Sequence, residues 1–71
     1  MSSHTYGITE IVGTSEESPA QAIRNGVARA SQTVRNLDWF EVVATRGYIR
    51  DSEVNHFQVQ LKLGFRIEDT A

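Results

Sequence analysis

The sequence predicts an α+β fold of order β-α-β-β, a three-stranded antiparallel sheet covered on one face by a single helix. Three observations predict it. Residues 54–67 alternate apolar and polar side chains almost without a break, and period two is the mark of a strand. Between residues 18 and 37 the apolar positions recur every three or four residues, the spacing of one helix face. Asp51-Ser52-Glu53 separates two strand-like runs and reads as a hairpin loop. The length of 71 residues predicts one domain over residues 1–71.

The first strand is expected from about His4 to Gly13. Tyr6, Ile8 and Val12 share one parity, Glu10 interrupts it and Ile11 lies on the other. The helix is expected from Ser18 to Leu37. Ser18 is a good N-cap, Pro19 stands at N1 where its missing N–H costs nothing, and Gln21 completes a capping-box pattern. Ile23, Val27, Ala30, Val34 and Leu37 form a narrow apolar stripe. Gly26 disfavours the helix by roughly 1 kcal/mol against Ala and marks a close approach to another backbone. The second strand is expected from Trp39 to Arg50 and the third from Val54 to Ile67. The short connection makes them antiparallel neighbours.

Parity then assigns faces. Phe40, Val42 and Ala44 of the second strand and Phe57, Val59, Leu61 and Leu63 of the third are expected to meet the helix. The opposite face is left uncovered and carries Trp39, Glu41, Val43, Gln58, Gln60, Lys62 and Arg66.

Composition excludes several functions. There is no Cys, which removes disulfides, thiolate zinc sites and cysteine nucleophiles. Two His, at positions 4 and 56, do not supply the three or four ligands of a metal site. The net charge of −2 provides no basic stripe for nucleic acid. No apolar run reaches the ~18 residues of a membrane span, and no leader pattern opens the chain, so a soluble, cytoplasmic protein is expected. A chain this small is marginal alone without disulfides, metal or partner. Self-association is the remedy left open.

The uncovered face holds the only Trp. Trp39 is apolar over most of its area and carries one N–H to satisfy, so it requires a subunit or a ligand. Gln58, expected near it on the same face, offers both a donor and an acceptor. An aromatic plane with a carboxamide suits a flat heterocycle with an amide edge, and both flavins and nucleobases fit. Arg46 and Arg66 are candidate cations for a phosphate. No Ser-His-Asp arrangement is readable from the spacing, and no catalytic residue is assigned.

Five stretches of the chain resemble the dodecins, small flavin-binding proteins that assemble as hollow dodecamers. They are Glu10-Ile11-Val12-Gly13-Thr14-Ser15, Ala28-Arg29-Ala30-Ser31-Gln32-Thr33-Val34-Arg35, Leu37-Asp38-Trp39-Phe40-Glu41-Val42, Phe57-Gln58-Val59 and Gly64-Phe65-Arg66-Ile67-Glu68. The resemblance implies a homododecamer with flavin pockets between subunits. It makes Trp39 the stacking residue and Gln58 the partner of the ring's polar edge. Arg66 matches a basic position of the bacterial members, favouring FMN over riboflavin, and Arg46 matches a second arginine near the pocket. Coenzyme A is a further ligand of some members, with no residues assignable here. The function implied is flavin storage, sequestration and photoprotection rather than catalysis. A flavin-dependent electron carrier and a purely structural oligomer are the alternatives.

Overall fold

The alternation that makes residues 54–67 a strand also makes them the centre of the molecule. The computed structural model describes residues 3–68, and its elements run β1 (Tyr6–Ser15), α1 (Pro19–Ala30), β2 (Leu37–Arg50) and β3 (Glu53–Arg66). The strand order is β1-β3-β2, and both pairings are antiparallel. The β-α-β-β order and the antiparallel sheet are as expected.

Val59, Leu61 and Leu63 of β3 are fully buried and pack with Ala22 and Ala30 of α1. Ile11, Ile23, Val27 and Leu37 close the core around them. The helix begins as predicted. Ser18 has extended backbone, and its Oγ accepts from the Gln21 N–H at 3.0 Å. The reciprocal half of the capping box is not made. Gln21 turns forward instead to donate to Asn25 Oδ1 (2.9 Å), and Asn25 Nδ2 donates to the Thr14 carbonyl (3.0 Å), tying the helix to the end of β1.

The helix meets β1 backbone to backbone. Gly26 lies against Gly13, and a Cβ on Gly13 would overlap the Ala22 carbonyl. Glycine is therefore required at position 13 on the helix side of β1, where Gly7, Thr9, Ile11, Gly13 and Ser15 stand opposite Phe65, Leu63, Leu61, Val59 and Phe57. The more apolar parity, Tyr6, Ile8 and Val12, faces away from the helix and is exposed.

Three expectations are corrected. The helix ends at Ala30 rather than Leu37. Ser31 competes for the backbone, its Oγ donating to the Ala28 carbonyl (2.7 Å), Thr33 is β-branched, and Asn36 takes a left-handed φ of 66° that ends the connection. Strand β1 continues two residues past Gly13 to Ser15. Finally, the helix packs on β1 and β3, and β2 projects beyond it. Phe40 and Val42 face the helix side, opposite Leu63 and Leu61, yet remain 50% and 43% exposed.

The hairpin β2–β3 turns through Asp51-Ser52, both at positive φ (54° and 65°), the backbone of a type I′ turn. It carries the chain into an elongated shape, 57 Å in its longest dimension, with a radius of gyration of 15.0 Å. A compact chain of this length has about 11 Å. The accessible surface is 5321 Å², against about 4,500 Å² for a typical monomer of this mass. Both quantities exceed those of a compact monomer of this length.

Candidate functional site

The face turned away from the helix is built from register. Glu10, Val12 and Thr14 of β1 stand opposite Lys62, Gln60 and Gln58 of β3. On the other side of β3, Glu41 faces Lys62, Ala44 faces Gln60 and Arg46 faces Gln58. Opposite charges therefore alternate across the sheet at Glu10, Lys62 and Glu41, as favourable cross-strand pairs require.

Trp39 lies at one end of this face. It pairs with Gly64, and the indole Cε2, Cζ2 and Nε1 rest so close to Gly64 that a Cβ there would overlap them. The extra residue Asp38, between the pairs Leu37–Phe65 and Trp39–Gly64, is a β-bulge that puts Leu37 on the helix side and Trp39 on the open side. Arg66 is the next same-face residue along β3, about 7 Å away at strand spacing. Its backbone is clamped to Asn36, with Arg66 N–H donating to the Asn36 carbonyl (3.0 Å) and Asn36 Nδ2 donating to the Arg66 carbonyl (3.3 Å). Tyr6 stands opposite Arg66. A hydrogen bond to the Asp38 carboxylate holds its phenol pKa above 10.0.

Arg46 and Gln58 form the other end. Arg46 Nη2 donates to Gln60 Oε1 (3.1 Å), and Gln60 Nε2 donates to Glu10 Oε2 (2.7 Å), a chain across all three strands that fixes the guanidinium beside Gln58. A second bulge at Val43, between the pairs Val42–Leu61 and Ala44–Gln60, is what brings Arg46 here. Unbroken parity would have placed Ala44 and Arg46 against the helix. The expected assignment of Ala44 to the helix face is corrected, and Val43 is the bulge residue itself. Beyond Gln58, Tyr48 and His56 stack with ring centroids 4.8 Å apart and planes 6° from parallel.

The four candidate residues thus share one face but not one place, and the expectation that Gln58 lies near Trp39 is corrected, because Trp39 pairs with Gly64 and Gln58 with Arg46. Trp39 and Arg66 sit at one end, Arg46 and Gln58 at the other. Gly64 and Gln58 are six residues apart on β3, about 20 Å at 3.4 Å per residue. The cavity that Trp39 borders, with Val27, Leu37, Asp38, Phe40 and Leu63, holds about 130 Å³, below the ~300–1,000 Å³ of small-molecule pockets. One subunit supplies an aromatic plane and a cation at one end, and a carboxamide and a cation at the other. It does not enclose a ligand between them.

Sequence reasoning missed Gly64, although a glycine inside a regular strand signals a close approach. It also weighed His56 only as a metal ligand. Among the described residues, no group of three or more His, Cys, Asp or Glu is placed to hold a metal ion, and no helix is long and apolar enough to cross a membrane.

The dodecin family model matches residues 5–68. A dodecin of Thermus thermophilus is 51% identical over 65 residues, covering 92% of this chain and 94% of that one. The solved dodecin of Streptomyces davaonensis superposes with a TM-score of 0.92 at 59% identity, over 96% of this chain and all of that one. That of Streptomyces coelicolor gives 0.91 at 61% identity, over 99% and 100%. Sequence likeness along nearly the whole chain and the same helix-on-sheet architecture agree, and the chain belongs to the dodecin family.

Proposed function

We propose that the chain is a flavin-binding protein that holds FMN between copies of itself, for storage, sequestration and photoprotection, in a homo-oligomer of twelve. One observation carries the reading. The indole of Trp39 lies over Gly64 on the uncovered sheet face and is 40% exposed, so a flat aromatic surface is presented where no part of the same chain covers it.

An isoalloxazine ring matches that surface in shape and polarity. Stacking on indole adds ~0.5–1.5 kcal/mol to the area buried. Arg66, one same-face step away, suits the phosphate that distinguishes FMN from riboflavin. The separation of about 20 Å along β3 requires a second copy to bring a carboxamide to the ring. A two-fold axis through the middle of the face, near Lys62, would set the Trp39–Arg66 end of one copy against the Gln58–Arg46 end of the other. A flavin covered on both faces has none left for a substrate, and indole contact drains its excited state. Both support holding and shielding over turnover.

The test is a fluorescence titration of FMN with the purified apo-protein. Saturable quenching near one FMN per chain, lost in Trp39→Ala, is the expected outcome. Unchanged emission would sink the flavin reading and leave the open face as a subunit contact alone.

A further inference from the structure

We propose that His56, locked by Tyr48 and Asn55, is a positioning residue that fixes the direction of the Gln58 carboxamide, so that Gln58 turns its NH₂ toward a carbonyl of the ligand. The inference rests on Gln58 being a ligand contact, as proposed above.

The geometry around the imidazole is specific. His56 and Gln58 are neighbours on the open face of β3. The His56 ring lies parallel to Tyr48 at 4.8 Å. Asn55 Nδ2 stands 2.7 Å from its Nδ1, and Gln58 Nε2 stands 3.4 Å from its Nε2. Both neighbours thus present amide nitrogens. A neutral imidazole has one acceptor nitrogen and one N–H, so only one of the two amides donates to it.

The shorter contact takes the lone pair on Nδ1. The proton then sits on Nε2, where an amide NH₂ opposite would place donor against donor. Turning the Gln58 carboxamide by 180° exchanges its oxygen and nitrogen within the same volume. His56 Nε2–H then donates to Gln58 Oε1. One lone pair of that oxygen and both amide hydrogens remain for the ligand. This is the complement of a ring edge in which a carbonyl adjoins an N–H, the amide edge of a flavin. Without the imidazole the two carboxamide orientations are nearly equivalent, and half the population offers the wrong edge. Arg46 and Thr14, opposite Gln58 on β2 and β1, leave the His56 contact to decide between them.

His56→Phe keeps a ring against Tyr48 and removes both nitrogens. In FMN titrations it is expected to weaken binding about twofold, the factor lost when only half the carboxamides present the matching edge. In a Gln58→Ala background it is expected to add nothing, because the carboxamide it orients is gone. The same loss in both backgrounds would mean a structural ring and overturn the proposal while flavin binding stands. A second readout needs no ligand. Nitrogen-15 spectra of the wild-type ring at neutral pH are expected to show Nε2 protonated and Nδ1 bare. An Nδ1–H ring overturns the assignment. Wild-type protein that leaves FMN unquenched overturns the flavin reading and this proposal together.

Discussion

Gly64→Ala is the sharpest test of how Trp39 is presented. A Cβ at Gly64 would overlap three indole atoms, and the strand backbone beneath is held by ladders on both sides. The indole must therefore lift or leave. A flavin ring seated on it loses on the order of 100 Å² of apolar contact, about 2.5 kcal/mol at 25 cal/mol per Å². The stacking increment adds ~0.5–1.5 kcal/mol. Complete displacement then weakens binding several hundredfold, and a half-kept contact roughly tenfold, at about 1.4 kcal/mol per decade. The assay is FMN fluorescence quenching at equal protein concentration. Trp39→Ala and the double variant complete a cycle, in which Gly64→Ala should cost nothing once the indole is absent. Gly47→Ala is the control. Its Cβ would meet the His56 carbonyl and Phe57 only at 3.8 Å, and binding should not change. If Gly64→Ala bound FMN within about threefold of wild type, the indole would not owe its pose to the glycine, and this reasoning would be refuted.

Three further outcomes follow from the fold. Gly13→Ala drives a Cβ into the Ala22 carbonyl and should destabilise by ~1–3 kcal/mol or more. Denaturant midpoints at fixed protein concentration check this, and an unchanged midpoint would contradict the helix–strand contact. The Tyr6 phenol, held up by Asp38, should ionise later than 10.0 in a 295 nm titration, and Asp38→Asn should bring it down. Because the shift is upward, the contact's contribution is present below the unfolded phenol's range and fades as pH rises through the folded value. An Asp38→Asn titration overlaying wild type would rule the contact out. Phe40→Asp, on the uncovered helix side of β2, should shift assembly toward smaller species by about 1–2 kcal/mol per buried copy. Sedimentation velocity reads this directly, and a wild-type mass near 8.0 kDa would defeat the assembly argument.

The parts of the fold legible in the sequence were those set by local chemistry. Ser18 and Pro19 announce a helix start because their backbone requirements are local. The alternation of β3 was legible because one face is fully buried and one side of the strand must be apolar. Elsewhere the pattern misled for a physical reason. In β1 the helix comes so near that glycine is required at position 13, so the apolar parity lies on the outer face. Residues 34 and 37 keep the helix spacing although the helix has ended, because Val34 still donates to Ala30 and Leu37 still packs on the core. Trp39 was placed on the open face by parity, and the structure places it there. Its distance from Gln58 was not legible, since it depends on which pairs are in register. Period counting also had no way to see the bulge that returns Arg46 to the same face.

Val43 puts that last point to a test. It is the extra residue between two regular pairs, Val42–Leu61 and Ala44–Gln60. Removing it joins those pairs directly, and alternation then runs unbroken from the helix-side Val42 to the open-side Ala44. Deletion of Val43 should therefore leave Arg46 opposite Gln58 and the hairpin turn at Asp51-Ser52, whereas deleting a regularly paired residue would reverse every face beyond it. What changes is the shape of the strand, because a bulge bends it and raises its local twist. That bend lies between the Trp39 end and the Arg46 end, the two halves that the proposed flavin site brings together across copies. The deletion variant should keep its strand and helix signature in circular dichroism, with its melting temperature within about 4–8 °C of wild type for each 1 kcal/mol lost. FMN quenching and the sedimenting mass should both fall. An unfolded variant would show that the bulge holds the register rather than the curvature. A variant that folds, assembles and quenches like wild type would show that the curvature between the two ends is not what aligns them.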